Sequence, residues 1–347
     1  METKDLYFDL PDELIAQYPS DKRGGDRLLA VNRKTGEYRD LMFADLPGLL
    51  EPGSLLVLNE SKVRKARVFA HNRTGGKVEL LFLSPESDGS WLVTSNRLKK
   101  RKMGEVLSVG DVDFEIVRMN DDGTFCLMPQ CGSGSKRTVV DEGFFLENGH
   151  VPLPPYIRRE DEFSDESRYQ TVYARNLGSV ASPTAGLHYT EDILDAIRKR
   201  GVETAFVTLH VGMGTFLPVR TERLEQHKMH RESYEISQEN ADRINSALAN
   251  KAPIIASGTT SLRCIESAFD CASGKVRSGS SSTDIFITPG YEFKVANRLL
   301  TNFHTPYSTL MALVSAFSSL EIVKSAYEHA VREKYRFFSY GDATYWY

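Results

Sequence analysis

The sequence predicts a mixed-sheet α/β protein, α+β multidomain in layout, with a small β-barrel domain inserted into it. Three observations carry this reading. From Thr190 onward, segments with helical period alternate with segments of strand period. Between about Val63 and Val140 the pattern changes to short strands and tight turns, spaced as in a small barrel. Ahead of that region, "GSLLVLNES" reads as a buried strand able to join the later sheet, which makes the β-rich part an insertion. The expected division is 1–61 with 152–347 for the α/β domain and 62–151 for the barrel.

The elements follow in order. "METKDLYFDLPDELIAQYP" is mixed and acidic, unlike a signal or transit peptide. "KVELLFLSPESDGSWLVTSN" reads as a hairpin turning at Asp88-Gly89, and "VDFEIVRMNDDGTFCLM" as another turning at Asp122-Gly123. "PLPPYIRREDEFSDESRYQ" is an extended, charged connector stiffened by proline. "TEDILDAIRKRG" is a helix, with Thr190 as N-cap, acids in its first turn, bases in its last and Gly201 beyond. "VETAFVTLHV" is a strand with Val207, Leu209 and Val211 on one face and Thr208 and His210 on the other. A helix capped by Ser237, the buried strand "APIIAS" and the helix "SLRCIESAFDCA" come next. "SGSSS", Ser278–Ser282, reads as a flexible loop, and two helices complete a helical C-terminus.

The totals exclude several classes. A chain of 347 residues exceeds what one core usually takes, and 41% apolar residues can fill two. No run approaches the ~18 apolar residues of a membrane span. A net charge of −4 argues against nonspecific coating of nucleic acid while allowing a local basic patch. Cys126, Cys131, Cys264 and Cys271 form no CxxC pair; Cys264 and Cys271 read as buried thiols on one helix, as in a reducing cytoplasm.

Chemistry-bearing residues gather in the α/β part. Gly212 and Gly214 follow the strand carrying His210, and Gly258, Thr259 and Thr260 lie between a strand and a helix. Ligands of open α/β sheets bind beyond the C-terminal strand ends, and such a turn suits a carboxylate or phosphate. The plainer alternative is a tight turn at Gly258 with Thr259 or Thr260 as a helix cap. Neither segment matches a GxGxxG fingerprint or a P-loop. His188, His210, His227, His230 and His304 fall in loops or at strand ends, whereas His329 sits mid-helix and reads as a surface residue. His227-x-x-His230-x-Glu232 leaves two readings open: a metal site, or acid–base groups around an organic substrate. In the barrel, Lys62, Arg64, Lys65 and Arg67, then Lys99, Lys100 and Arg101, form basic runs; such runs are usually solvated loops, but on this scaffold they suit RNA phosphates.

Taken together and in order, "LVLNESKVRKAR", "TGGKVELLFL", "GSVASPTAGLHYT", "VTLHVGMGTFLPV", "HKMHRESYEI", "GTTSLR", "FITPGYEF", "LLTNFHTPYSTLMALVSAF" and "YRFFSYGDA" resemble the S-adenosylmethionine:tRNA ribosyltransferase-isomerase family of queuosine biosynthesis, over essentially the whole chain. The resemblance implies an α/β domain with an inserted β-barrel. It implies transfer and isomerisation of the ribosyl part of S-adenosylmethionine onto the aminomethyl group of preQ1 at the tRNA wobble position. The product is epoxyqueuosine, and adenine and methionine leave. No metal or bound cofactor is implied, since S-adenosylmethionine is a consumed co-substrate. The implied partners are that tRNA and S-adenosylmethionine, with no membrane or protein partner, in the cytoplasm.

Such chemistry needs a base for the proton beside the sulfonium, an acid for departing adenine and donors for the ring oxygen. His188, His210 and His304 are the leading acid–base candidates, followed by His227, His230 and Glu232. Thr184, Thr215, Thr259 and Thr260 are candidates for the ribose hydroxyls or the methionyl carboxylate, with Gly186, Gly212, Gly214, Gly258 and Asn302 beside them. Arg263 suits that carboxylate or an RNA phosphate, or is an exposed helix arginine. Phe216 and Tyr189 can face the sulfonium by cation–π attraction or pack in the core. The sequence departs from the family in reading "NESKVRKAR" where "NDTRV" is common, in Tyr189 for a phenylalanine, and in a Tyr345-Trp346-Tyr347 tail with no assigned role. Two other functions stay open: a histidine-rich metal-dependent nucleotide hydrolase, and a non-catalytic tRNA-binding protein.

Overall fold

The structure is a computed structural model that describes residues 1–95, 101–130, 140–212 and 219–347. The chain forms two compact units. One comprises Met1–Lys62, Pro154–Arg159 and Ser167–Tyr347; the other comprises Val63–Leu153 and Glu160–Glu166.

The first unit is built on one mixed sheet. Its strands in chain order are β1 (Arg27–Val31), β2 (Tyr38–Met42), β3 (Leu55–Asn59), β4 (Glu203–Leu209), β5 (Glu232–Ile236), β6 (Ile254–Ser257), β7 (Gly279–Thr283), β8 (Arg298–Asn302) and β9 (Ala343–Trp346). Across the sheet the order is β7-β5-β4-β3-β6-β8-β9-β1-β2. The central strands β4, β3, β6 and β8 run parallel, and β9 reverses against β8. The "LLVL" run of β3 is apolar throughout because both faces are covered. Leu55 and Val57 face one core, while Leu56 and Leu58 face the other. The first core is closed by α2 (Gln238–Ala249), α3 (Thr259–Ala268), α4 (Thr309–Phe317) and α5 (Leu320–Arg332), and the second by α1 (Glu191–Lys199). Thr190 and Ser237 cap α1 and α2, each accepting a backbone N–H three residues on.

In the second unit six strands close a barrel among the described residues. In ring order they are Arg67–Asn72, Lys77–Pro85, Trp91–Ser95, Thr124–Gln130, Val112–Met119 and Val106–Val109, and the last pairs with the first. Phe82, Phe114, Phe144, Phe145 and Trp91 fill its interior edge to face. The fold class is therefore the mixed α/β protein with an inserted barrel that the sequence predicts.

Some local expectations fail. "SGSSS" is not a free loop: Gly279–Thr283 is the edge strand β7, paired with β5. Small polar residues carry no strand signal, and backbone pairing alone recruits them. The C-terminus is not wholly helical, because the tail forms β9 between β8 and β1, with Trp346 fully buried. α3 ends at Ala268, so Cys271 lies beyond it and is exposed, whereas Cys264 is buried. His329 is buried, with Nε2 2.9 Å from Asp40 Oδ2 and its ring on Tyr38. No single helix among the described residues is long and apolar enough to cross a membrane; α4 and α5 together have the length and composition, but turn by 114° between them.

Candidate active site

The C-terminal ends of β3, β4, β6 and β8 lie on one edge of the sheet, as the parallel registers require. Because β9 reverses and β1 follows it, the starts of those two strands reach the same edge. A cleft of about 610 Å³, including its open mouth, sits there. Its lining includes Ser182, Thr184, Val211, Gly258, Thr259, Thr260, Asn302, His304 and Ser308.

Three segments build the floor. Gly258 has φ +89°, a conformation that L side chains rarely adopt, and it turns the chain from β6 directly into α3. Gly258 is itself the N-cap, and no side chain caps α3, so Thr259 and Thr260 are not caps. The first N–H groups of α3 thus have no intrahelical partner and point outward. Among the described residues, the buried Thr260 and Ser182 hydroxyls have no hydrogen-bond partner. Arg263 lies one turn further along the face that carries Thr259 and Thr260. It is buried, which overturns the exposed-arginine reading. Its Nη1 donates to Glu232 Oε2 at 2.5 Å, while Nε and Nη2 have no partner among the described residues. Glu232 Oε1 accepts the Gly212 N–H at 2.9 Å. Glu232 is therefore an arginine-holding group in this structure, since both its oxygens are engaged.

His188 closes the last turn of a short 3-10 helix, Thr184–His188, and is buried. Its Nδ1 lies 2.7 Å from Asp26 Oδ2 and its Nε2 3.0 Å from Asn302 Nδ2. Both nitrogens of this acid–base candidate are thus engaged, and His188 is not among the residues lining the cleft. Asn302 Oδ1 in turn accepts from the Thr184 hydroxyl at 2.9 Å. Burial alone would raise the Asp26 carboxyl, but the His188 imidazole and its hydrogen bond outweigh this and hold it below the ordinary value. Asp26, which no sequence motif singles out, thus partners His188. Only its neighbourhood to a strand start could have flagged it.

His304 does line the cleft. Its Nε2 lies 3.0 Å from Thr301 Oγ1, and its backbone N–H donates to the Tyr327 hydroxyl. Burial pushes its imidazole down to about 3, so the ring is neutral at neutral pH.

The remaining candidates separate. His210 packs on Gly178, outside the cleft lining. His227 stacks edgewise on Phe286, with its imidazole lowered by burial and by His230, which is exposed. Among the described residues no three His, Cys, Asp or Glu side chains gather as a metal would require. Gly186 is needed for packing, since a Cβ there would come within 2.3 Å of the Tyr173 hydroxyl. Tyr189 is fully buried against Phe43 and Tyr173, away from the cleft. Gly214, Thr215 and Phe216, and likewise Lys99 and Lys100, lie outside the described residues. The other barrel cations are mostly neutralised. Arg64 pairs with Glu142 at 2.5 Å, Lys65 with Glu166 at 2.6 Å, Arg67 with Glu79 at 2.9 Å, and the buried Arg101 with Glu105 at 2.7 Å. Lys62 alone of the named described cations is exposed and forms no ion pair among the described residues.

An open α/β sheet with a polar cleft at its strand ends is the architecture of a ligand-binding enzyme domain. The chain belongs to the queuosine biosynthesis protein family, whose model matches residues 3–346. It is 48% identical over 347 residues to a Treponema denticola protein named S-adenosylmethionine:tRNA ribosyltransferase-isomerase, covering 99% of each chain. A Legionella pneumophila (strain Lens) protein of the same name is 46% identical over 345 residues, again covering 99% of each. A crystal structure of S-adenosylmethionine tRNA ribosyltransferase from Thermotoga maritima matches with a TM-score of 0.56 and 31% identity, covering 99% of this chain and 100% of that one.

Proposed function

We propose that the chain is an S-adenosylmethionine:tRNA ribosyltransferase-isomerase acting on tRNA that carries preQ1 at the wobble position. The ribosyl group of S-adenosylmethionine is transferred and rearranged on the preQ1 aminomethyl nitrogen, giving epoxyqueuosine, adenine and methionine. Family membership over the full length supports the reaction class. The structural observation that carries the reading is the anion-ready floor of the cleft: an uncapped helix N-terminus and two hydroxyls without partners among the described residues.

The methionyl carboxylate fits the N-terminus of α3, where N–H groups and the helix dipole favour negative charge. One turn behind that N-terminus and outside the cleft lining, Arg263 keeps Nε and Nη2 as a parallel donor pair, with Glu232 holding the third nitrogen. Thr184 and Asn302 present polar groups for the ribose. His304 is neutral and able to accept or donate a hydrogen bond, but too weakly basic to keep a proton near neutral pH, so it suits orientation of the reacting groups. The proton beside the sulfonium goes to a base, the ribose opens, and adenine leaves.

The deciding experiment incubates the protein with S-adenosylmethionine and preQ1-bearing tRNA. Free adenine, free methionine and a mass gain on the wobble base are expected. Tight tRNA binding with no adenine release would instead favour a binding protein.

A further inference from the structure

Four side chains from separate parts of the first unit form one hydrogen-bonded line: Asp26, His188, Asn302 and Thr184. Three are buried, and the last reaches the cleft. The line has a direction. Thr184 O–H donates to Asn302 Oδ1 at 2.9 Å, and Asn302 Nδ2–H donates to His188 Nε2 at 3.0 Å. An Nε2 that accepts leaves the ring proton on Nδ1, facing Asp26 Oδ2 at 2.7 Å. In this state the Thr184 hydroxyl spends its hydrogen on Asn302 and presents only lone pairs to the cleft.

We propose that Asp26 is a positioning residue that acts through His188 and Asn302 to set whether the Thr184 hydroxyl accepts from or donates to the bound ligand. The inference rests on the ribosyl-transfer reading for the ligand's identity, but not for the geometry. When Nε2 gains a proton, it can no longer accept from Asn302. The Asn302 amide then turns over, so that Oδ1 accepts from Nε2–H and Nδ2 donates to Thr184 Oγ1. The Thr184 hydrogen is released to point into the cleft. No bond is made or broken in the turn, and the oxygen and nitrogen of an amide occupy nearly the same space. The proton enters at Nε2, and Asp26 balances the resulting imidazolium charge. A ribose that opens during the reaction presents hydroxyls that donate and a ring oxygen that takes on developing negative charge, and a hydroxyl of reversible polarity serves both.

The charged surroundings of His188 are few. Asp26 and Asp342 face it from the starts of β1 and β9, with Arg336 bearing on Asp26. Arg23 donates to the Leu187 carbonyl beside it and bears on Asp26. The Phe43 ring stacks on its face at 4.9 Å and carries no charge. Asp26 is the carboxylate in direct contact.

The test uses the whole enzyme labelled with 15N-histidine. In the wild type, one buried histidine is expected to carry its neutral-state proton on Nδ1. Asp26→Asn should weaken that preference and lower kcat, while KM for S-adenosylmethionine changes less than kcat. Thr184→Ser, which keeps the hydroxyl, should lose less kcat than Thr184→Val. A neutral His188 protonated on Nε2 in the wild type overturns the proposal, and this needs no variant to fold. So does an unchanged kcat in an Asp26→Asn protein with wild-type melting. Absence of adenine release by the wild type sinks the functional reading alone, because the histidine spectrum is read without turnover.

Discussion

Arg263 and Glu232 form a buried ion pair, Nη1 to Oε2 at 2.5 Å, that leaves two nitrogens of the guanidinium without partners among the described residues. Removing one member strands the other's charge in the interior, which costs about 3–5 kcal/mol. Arg263→Ala should therefore melt well below the wild type. Arg263→Lys keeps the charge and loses the fork. It is expected to lose S-adenosylmethionine affinity roughly tenfold or more, about the 1.4 kcal/mol of one charge-assisted hydrogen bond. Titration calorimetry beside thermal melting separates the two effects.

His304 should make the protein acid-sensitive above the carboxylate range. Its folded imidazole lies at about 3, below the ordinary 6.5, so the unfolded chain binds the proton more readily between those values. The stabilisation is full above 6.5 and is lost as pH falls towards 3, by up to about 1.4 kcal/mol per unit. His304→Gln should flatten that slope in denaturant melts taken at successive pH values. The lowered Asp26 carboxyl acts in the same direction, but below its own ordinary value of 3.8, so the loss above 3.8 belongs to His304.

Thr260 and Ser182 carry buried hydroxyls with no partner among the described residues. An unmade hydrogen bond of this kind costs about 1–3 kcal/mol. Thr260→Val and Ser182→Ala should leave stability unchanged or raised, yet increase KM for S-adenosylmethionine. A variant that melts lower and keeps its KM would place the hydroxyl in the scaffold instead.

Arg64 and Lys62 should behave oppositely on the barrel side of the sequence. Arg64 pairs with Glu142 and lies over Phe145 at 5.2 Å, so Arg64→Ala should lower the melting midpoint and leave the salt dependence of tRNA binding alone. Lys62 is exposed, so if it meets a phosphate, Lys62→Ala should reduce the salt slope of binding by about 1. Binding isotherms over a range of salt concentrations measure both.

The fold was largely legible because its strands announce themselves by apolar runs and its turns by Asp-Gly pairs. β3 and β6 are buried on both faces, and their sequences say so. β7 and β9 were hidden, one because serines carry no pattern and the other because it follows an irregular stretch. The cleft was legible through its glycines and threonines, as Gly258, Thr259, Thr260 and Asn302 all line it. The histidines were harder. Sequence shows where a histidine falls, but not which carboxylate a distant strand start brings to it. His188 and His329 each meet an aspartate more than a hundred residues away in the chain, and no local pattern encodes such a meeting.

The composition of β7 has a consequence for how the protein keeps to itself. A nine-stranded sheet offers two open margins, and each exposes backbone groups that another chain could pair with. One margin is "GSSST", whose side chains give an incoming strand almost no apolar surface to grip. The other is β2, "YRDLM", where Arg39 stands outward as a solvated charge and Asp40 is occupied by His329. The sheet can thus be wide enough to carry a cleft across its centre while its least patterned strand gives one margin little for a further strand to pack on.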